Sequence, residues 1–399
     1  MKEKIKKIEA GIQEDLRTLS DSIYDHPELG NQEYFAAKAH QDLLKKHGFQ
    51  VEEKFLGLDT AFKASFSTGR PGPRLCYMAE YDALPGIGHG CGHNMLGAAS
   101  TGGAIVLRYL MEEGLGGDLV LLGTPAEESD GGKVTMVEEG IFKDLDLAIM
   151  AHPDCHYRPS GNSLALKALA YEFFGKPAHA GASPHEGINA LDALVLFYNG
   201  VSVLRQQILS TARIHGVIRD GGKAANVIPD YSRGDFYIRA QSKAYVQELE
   251  QKLENIAKGA ALATGCSFNI FPYEFANDNM VTNETLNQIF VEGVGVFSED
   301  PICPAKDAMG SMDCGNVSHE IPAIHGYFPI ADHEIPGHTE AFRDATRTDY
   351  AYKHLDEIVC ILAYTGWRVL EDPDLLKKIQ EEYQENLKKG KIIPYKKED

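Results

Sequence analysis

The sequence places its most reactive side chains in one loop, within residues 78–97. An acid pair, Glu80 and Asp82, follows an apolar strand, and glycines then surround Cys91 and His93. In an extended backbone alternate side chains point the same way, so the pattern predicts that Cys91 and His93 can reach one ion. Thiolate and imidazole together suit zinc and its transition-metal neighbours. We interpret this loop as half of a metal site.

The other candidate ligands are dispersed along the chain. A structural zinc site usually takes four ligands that are rich in cysteine and close in sequence. A dispersed set with a carboxylate favours an open catalytic site instead. Each of the 15 histidines, taken alone, is more often a structural residue. The prediction therefore depends on the whole set, which is Cys91, His93, Glu128, His152 and His338.

Two adjacent glutamates, Glu127 and Glu128, provide the groups that hydrolysis needs. One carboxylate can bind a metal while the other faces a water molecule whose pKa the ion lowers, takes its proton and passes it to the leaving amine. Asp82 would then orient a ligand. The alternatives are two solvated glutamates in a loop and an aspartate that caps a turn or helix.

The elements around these residues alternate between strand and helix. Apolar strands are predicted at 75–79, 118–123 and 145–150, with helices between them. This order predicts an α/β fold with a mainly parallel sheet flanked by helices, in which ligands gather at the carboxyl ends of the strands. Four candidates directly follow such ends: Asp82, Glu127, Glu128 and His152. We also expect one amphipathic helix over 2–25 and a hairpin-type turn at 68–73.

Residues 166–277 follow a β-α-β-β-α-β order, which is the ferredoxin-like α+β pattern. We predict that this segment is an inserted lid and dimerisation domain. The catalytic domain would then consist of a first part, 1–165, and a second part, 278–399, which ends in a charged tail.

Composition limits the class of protein. The 399 residues are 43% hydrophobic and 24% charged, and the net charge of -19 argues against nucleic acid or an anionic membrane as partner.

Seven scattered cysteines without a Cys-x-x-Cys pair favour a reducing compartment. No apolar run approaches the roughly 20 residues of a membrane span, and the charged start of the chain is unlike a signal peptide. We expect a cytoplasmic enzyme.

Short motifs along about residues 5–370 together resemble the M20 metallopeptidases. The branch that they resemble includes indole-3-acetyl-amino-acid hydrolases, aminoacylases, p-aminobenzoyl-glutamate hydrolase and aminoacylase-1-like dipeptidases. The motifs are Glu-Tyr-Asp-Ala-Leu-Pro at 80–85, Gly-Cys-Gly-His-Asn at 90–94, Pro-Ala-Glu-Glu at 125–128, Ala-His-Pro at 151–153, Pro-Ala-His-Ala-Gly-Ala-Ser-Pro-His at 177–185, Asn-Val-Ile-Pro-Asp at 226–230 and His-Thr-Glu at 338–340. The resemblance implies a zinc-peptidase-like catalytic domain with an inserted lid.

The resemblance also implies roles for individual residues. The five candidate ligands match those of a site for two divalent ions (zinc, manganese or cobalt), and Glu127 matches the catalytic base. His179 matches a histidine that reaches the partner's active site in dimeric members and stabilises the oxyanion. Asn226 and Arg239 match residues that hold the substrate carboxylate or carbonyl. Without the resemblance, His179 would be a loop histidine and Arg239 a surface charge.

The expected function is a metal-dependent amidohydrolase that cleaves an N-acyl-amino acid or aminoacyl-amino acid. A homodimer formed through the lid domain is the expected assembly. One alternative is a dipeptidase or aminopeptidase of the same fold. The other is a binding protein that has lost catalysis, and the complete set of glutamates and ligands argues against it.

Overall fold

The computed structural model describes residues 1–306 and 310–397. Contacts within the chain divide it into two compact units. The first unit comprises the described parts of Met1–Asn162, Met280–Ala308 and Met312–Asp399. The second comprises Ser163–Asn279 and the described part of Met309–Ser311.

Both units combine strands and helices. The strands are β1 Gln50–Glu53, β2 Phe62–Ser67, β3 Arg74–Ala79, β4 Asp118–Gly123, β5 Leu147–Asp154, β6 Ala165–Phe174, β7 Arg213–Asp220, β8 Tyr231–Ala240, β9 Ser267–Pro272 and β10 Ala323–Pro329. The α-helices are α1 Lys2–Ala10, α2 Gln13–Asp25, α3 Tyr34–Lys46, α4 His93–Met111, α5 Gly132–Glu138, α6 Ala190–Leu204, α7 Lys243–Thr264, α8 Glu284–Phe297, α9 Cys314–Ser318, α10 Glu340–Ala345, α11 Asp349–Glu371 and α12 Pro373–Lys388.

The sheet of the first unit has the strand order β1-β2-β4-β3-β5-β10. Strands β4, β3, β5 and β10 run parallel, and β2 and β1 continue the sheet in antiparallel pairs. The prediction of a mainly parallel sheet flanked by helices is confirmed. The carboxyl ends of the four parallel strands meet at one edge, where ligands gather in such folds.

Both faces of this sheet are covered. Successive side chains of a strand point to opposite faces, and β3 contributes Tyr77 to one buried cluster and Met78 to another. The first cluster includes α4 and α11, and the Tyr77 hydroxyl donates to the Leu362 carbonyl oxygen of α11 at 2.7 Å. Glycine permits close packing of α4, because a Cβ atom at Gly97 would lie 2.6 Å from the carbonyl oxygen of Glu80.

The second unit is an antiparallel sheet of order β7-β8-β6-β9 with α6 and α7 on one face. Alternate residues of β6, among them Tyr171 and Phe173, pack against these helices in the core. Asn189 caps α6 and Ser242 caps α7, each through a side chain that accepts backbone N–H groups. The chain order of these elements is the β-α-β-β-α-β order read from the sequence.

Two of the predicted elements are wrong. The helix expected over 2–25 is interrupted after Ala10, because Gly11 is a poor helix former and Ile12 leaves helical geometry. The hairpin expected at 68–73 is absent, since β4 lies between β2 and β3 and pairs with both. The turn instead receives hydrogen bonds from the segment before β4, where Gly117 N donates to the Arg70 oxygen at 3.0 Å.

Within the described residues, no helix has both the length and the apolar character that a membrane span requires.

Candidate metal centre

Cys91, His93 and His152 bring their ligand atoms together in the first unit. The sulfur and the two ring nitrogens lie within 4.8 Å of one another. The extended backbone expected at Cys91 and His93 is wrong: Gly92 has a φ of +82°, in the left-handed region, and His93 is the first residue of α4. The tight turn at Gly92 therefore brings these two side chains together, rather than the alternation of an extended strand.

His93 is held by Asp82. Its Nδ1 donates to the Asp82 carboxylate at 2.9 Å, and the second carboxylate oxygen accepts from the backbone N–H of Glu128 at 3.0 Å. Burial opposes charge on His93, but the neighbouring Cys91 and Asp82 outweigh it and raise the pKa of His93. Nε2 is buried and has no hydrogen-bond partner within residues 1–306 and 310–397.

His152 lies inside β5, not after its end as predicted, because the strand continues to Asp154. Nδ1 donates to the Pro153 carbonyl oxygen at 2.7 Å. In the neutral ring, Nε2 is then the nitrogen whose lone pair can bind a metal. This nitrogen lies 3.5 Å from Cys91 Sγ. Burial lowers the pKa of His152 to about 4, so the ring is neutral and able to bind a metal at neutral pH.

Glu128 and His338 form a second group with Cys91. The Nε2 atom of His338 lies 3.3 Å from Glu128 Oε1, and the ligand atoms of all three residues lie within 4.8 Å of one another. His338 has a φ of +60°, and its N–H donates to the Gly90 oxygen at 2.9 Å. This backbone contact ties His338 to the Cys91 loop, although the two are far apart in sequence. Cys91 is common to both groups.

Glu127 points differently from Glu128. Its Oε2 lies 4.0 Å from His93 Nε2, and it forms a further candidate group with His93 and Glu128. Burial, followed by the charges of Glu80 and Asp313, raises the pKa of Glu127 well above its ordinary value. A raised pKa means that this carboxyl group binds a proton more tightly than an ordinary glutamate does.

A buried ion-pair cluster, which was not predicted from the sequence, lies beside these groups. The Nζ atom of Lys133 lies 2.5 Å from Glu80 Oε1 and 2.7 Å from Asp313 Oδ1, and all three side chains are almost fully buried. Glu80 Oε2 in turn lies 3.4 Å from His93 Nε2. The only sign of this cluster in the sequence is the lysine directly after Gly131 and Gly132, and its position does not indicate which carboxylates it contacts.

The second unit brings together two of its three predicted site residues. The amide of Ala180, next to His179, donates to the Asn226 oxygen at 2.9 Å, and both His179 and Asn226 are exposed. The Nδ1 atom of His179 accepts from the backbone N–H groups of Gly181 and Ala182 at 3.2 and 3.1 Å, so its Nε2 carries the hydrogen.

Arg239 lies near the end of β8, and its guanidinium donates to the Ser311 hydroxyl at 3.1 Å. The guanidinium also stands over the Tyr237 ring, 5.6 Å from its centroid. These contacts orient the side chain, whose guanidinium group carries five N–H donors in all.

The donor set fits a transition metal. Zinc bond lengths place two ligand atoms of a tetrahedral site roughly 3.3–3.6 Å apart. The Cys91–His152 and Glu128–His338 separations of 3.5 and 3.3 Å match that spacing. In the described part of the chain, His93 Nε2 and Glu128 Oε1 are also buried, and neither makes a hydrogen bond of good geometry with its charged neighbour, Glu80 Oε2 at 3.4 Å and His338 Nε2 at 3.3 Å respectively. Buried polar atoms of this kind are costly unless something binds them.

Residues 76–357, most of the chain, match the family described as peptidase family M20/M25/M40. The chain belongs to this family. As an M20 member it is a hydrolase of the metallopeptidase and amidohydrolase type. The family resemblance read from the motifs is confirmed.

Named relatives of this M20 hydrolase act on small amides. It is 36% identical to Xaa-Arg dipeptidase from Mus musculus, over 95% of this chain and 91% of the mouse protein. It is 28% identical to a component of p-aminobenzoyl-glutamate hydrolase from Escherichia coli, over 92% of this chain and 91% of the bacterial protein. A solved dinuclear metal-binding M20 peptidase from Bacillus subtilis has the same fold, with a TM-score of 0.68, 20% identity and coverage of 91% of this chain and 99% of that one.

Proposed function

We propose that this M20 hydrolase is a metal-dependent amidase. Its substrate would be a dipeptide or an N-acyl-amino acid, in which an aminoacyl or acyl group is joined to an amino acid with a free carboxylate. The relative named as a dipeptidase is 36% identical and the p-aminobenzoyl-glutamate hydrolase 28%. The higher identity favours an aminoacyl group, so a Xaa-Arg dipeptide is the first substrate to test.

The main support for this proposal is the position of the Glu127 carboxyl group. Its neighbour Glu128 faces His338, whereas Glu127 Oε2 lies near the free nitrogen of His93. On this basis we assign ligand binding to Glu128 and proton transfer to Glu127, although Glu127 also lies within a candidate ligand group with His93 and Glu128. A protein with one glutamate for the metal and another for the proton has the groups that an amidase needs, whereas a binding protein of the same fold would need no such base.

Two ion positions are supported by the donor groups. Cys91, His93 and His152 would hold one divalent ion, and Cys91, Glu128 and His338 a second, with zinc, manganese or cobalt as candidates. When bound, such ions polarise a carbonyl and lower the pKa of water. Because Cys91 belongs to both groups, five side chains would be enough for two positions.

The residues of the chain would handle the proton and the charges. Glu127 takes the proton of the attacking water on a carboxylate oxygen and gives it to the leaving amine. Asp82 keeps His93 in one orientation. His179 would donate from Nε2 to the oxyanion, since its Nδ1 already accepts backbone N–H groups. Asn226 and Arg239 would bind the substrate carboxylate or carbonyl.

We further propose that His179 serves the site of a neighbouring subunit in a homodimer formed through the second unit. The second unit exposes large apolar side chains on α6 and β7, some of which an interface between two copies would cover. The exposed fractions are 41% for Val195, 71% for Val203, 55% for Val217 and 46% for Ile218. The lid role of the second unit and the cytoplasmic location stay predictions.

The test is a hydrolysis assay with a defined metal content. The protein is stripped with a chelator, refilled with zinc, manganese or cobalt, and offered Xaa-Arg dipeptides, N-acetyl-amino acids and p-aminobenzoyl-glutamate. We expect no turnover after stripping and restored turnover of the dipeptides after refilling. Full activity without metal, or tight metal binding with no turnover across the panel, would contradict the proposal.

A further inference from the structure

Glu33, the residue before α3, has a fully buried carboxylate that hydrogen-bonds to the loop carrying the two glutamates. Its Oε1 accepts the backbone N–H of Ala126 at 2.8 Å, and its Oε2 accepts the Thr60 hydroxyl at 2.9 Å. Burial raises the pKa of Glu33 to about 7. A buried carboxylate is costly unless its oxygens are hydrogen-bonded, and here one oxygen is committed to the backbone N–H of residue 126 and the other to Thr60.

Ala126 has an unusual backbone conformation. Its φ is +61°, in the left-handed region that side chains other than glycine rarely adopt. Its carbonyl oxygen accepts the N–H groups of Ser129 at 3.2 Å and Gly131 at 2.7 Å. Residue 126 is therefore held from both sides, by Glu33 at its N–H and by the loop at its carbonyl. Because Glu127 follows directly, this geometry sets where the base points.

The residues before Glu33 lie against the same loop. A Cβ atom at Gly30 would lie 2.9 Å from the Ala126 Cβ atom and 2.4 Å from Ser129 Oγ, so only glycine fits there. The Asn31 side-chain amide donates to the Asp130 carboxylate at 2.5 Å. Residues 30–33 thus contact the loop over 126–130, and Glu33 is the member that bonds the residue preceding the base.

We propose that Glu33 is a positioning residue for the hydrolysis reaction. It holds the peptide of Ala126 in the left-handed conformation and thereby directs the Glu127 carboxylate toward the reacting centre. The inference rests on the proposed function, since it assumes that Glu127 is the base. It assigns Glu33 no contact with substrate or metal.

The first test compares two variants of this residue. We expect Glu33→Ala to lower kcat by about 10- to 100-fold, because a small displacement of a catalytic group has effects of that size. KM and the bound metal per chain should stay unchanged. Glu33→Gln should keep most of kcat, since its amide oxygen still accepts from Ala126 and its amide nitrogen can donate to Thr60. Equal losses in both variants would overturn the proposal.

A matched control separates positioning from stability. Glu28 lies in the same segment, and its carboxylate accepts the N–H groups of Phe35 and Ala36 at the start of α3. Glu28→Ala should lower the melting temperature and leave kcat intact below the transition. If Glu28→Ala lowers kcat as much as Glu33→Ala does, Glu33 has only a structural role and the proposal fails.

Hydrogen exchange provides a readout that does not depend on activity. In Glu33→Ala, a peptide covering 124–131 should exchange faster, while peptides of β4 keep their protection and show that the chain is folded. Unchanged exchange at 124–131 would overturn the positioning role whatever the substrate. Faster exchange in a protein that hydrolyses nothing in the panel would support the positioning role and count against the proposed function alone.

Discussion

At the scale of single residues, Lys133 is unusual because its charged side chain is fully buried in the first unit. Its ammonium group lies between the carboxylates of Glu80 and Asp313 with no exposed side-chain surface. Burial alone would lower its pKa, but the charges of Asp313 and Glu80 outweigh burial and keep it charged. It offsets part of the negative charge of the surrounding acidic side chains, which are Glu80, Asp82, Glu127, Glu128 and Asp313.

We expect Lys133→Met to destabilise the first unit by about 3–5 kcal/mol, because it leaves two buried carboxylates without their partner. The matched control is Lys38→Met on α3, also in the first unit, whose ion pair with Asp42 is solvent-exposed and should contribute little to stability. Urea unfolding followed by fluorescence of the single tryptophan, Trp367 on α11, reports on the first unit. A loss below about 1 kcal/mol for Lys133→Met would show that the cluster is not a tight ion pair.

The residues that could be predicted are those in short motifs. Cys91 and His93 share one loop, and Glu127 and Glu128 are adjacent, so local sequence was enough to suggest them as partners. Lys133 could not be predicted in the same way, because its partner Asp313 is 180 positions away. A lone lysine at the start of a helix is most often exposed, and only the fold shows that this one is buried.

At the scale of elements, the parallel strands explain why distant residues meet. The register pairs Tyr327 of β10 with His152 of β5, so the ends of these neighbouring strands come together. The alternation of strands and helices predicted this edge of the sheet. The order of the strands could not be predicted, since β4 joins β2 and β3 through contacts that no local pattern specifies. Likewise, the conformation of Gly92 decides where α4 begins.

The packing of α1 on α11 predicts a pH-dependent stability. Burial, and then the neighbouring Asp356 of α11, raises the pKa of Glu9 from an ordinary value of 4.5 to about 8. Arg17 donates to the same aspartate at 2.7 Å. Between these two pH values the folded state holds a proton on Glu9 that the unfolded state has released, so this group stabilises the fold at low pH. That contribution is lost as the pH rises from 4.5 to about 8.

Glu9→Gln removes this titration, because an amide does not ionise. We expect the variant to match the wild type below about pH 4.5 and to become the more stable of the two as the pH approaches 8. The measurement is the free energy of unfolding, followed by Trp367 fluorescence at a series of pH values. A stability difference that stays constant with pH, or that grows in the opposite direction, would contradict the buried, protonated state of Glu9.

At the scale of the whole molecule, the two units have separate hydrophobic cores, and the predicted site residues are divided between them. The candidate ligands and Glu127 belong to the first unit, while His179, Asn226 and Arg239 belong to the second. The order of strands and helices in each unit could be predicted from the sequence, because strand-like and helix-like segments follow one another regularly in both. The assembly in solution depends on surfaces, which short motifs do not encode.

If His179 serves the neighbouring subunit, two inactive variants should complement each other. In a mixed dimer of Glu127→Gln and His179→Ala chains, one of the two sites receives an intact Glu127 and an intact His179. After the variants are mixed one to one and reassembled, we expect about a quarter of the wild-type activity. Each variant alone serves as the control. Activity in the mixture no higher than in the separate variants would show that His179 acts within its own chain or not at all.

In the proposed reaction Glu127 moves the proton while its neighbours hold the metal, so removing the Glu127 carboxylate should greatly reduce turnover without releasing metal. The activity and the bound metal per chain of Glu127→Gln are compared with those of the wild type under the same metal loading. We expect Glu127→Gln to lower kcat by about 10²- to 10⁴-fold with the metal content unchanged. A Glu127→Gln protein that keeps full metal-dependent amidase activity would show that Glu127 is not the base.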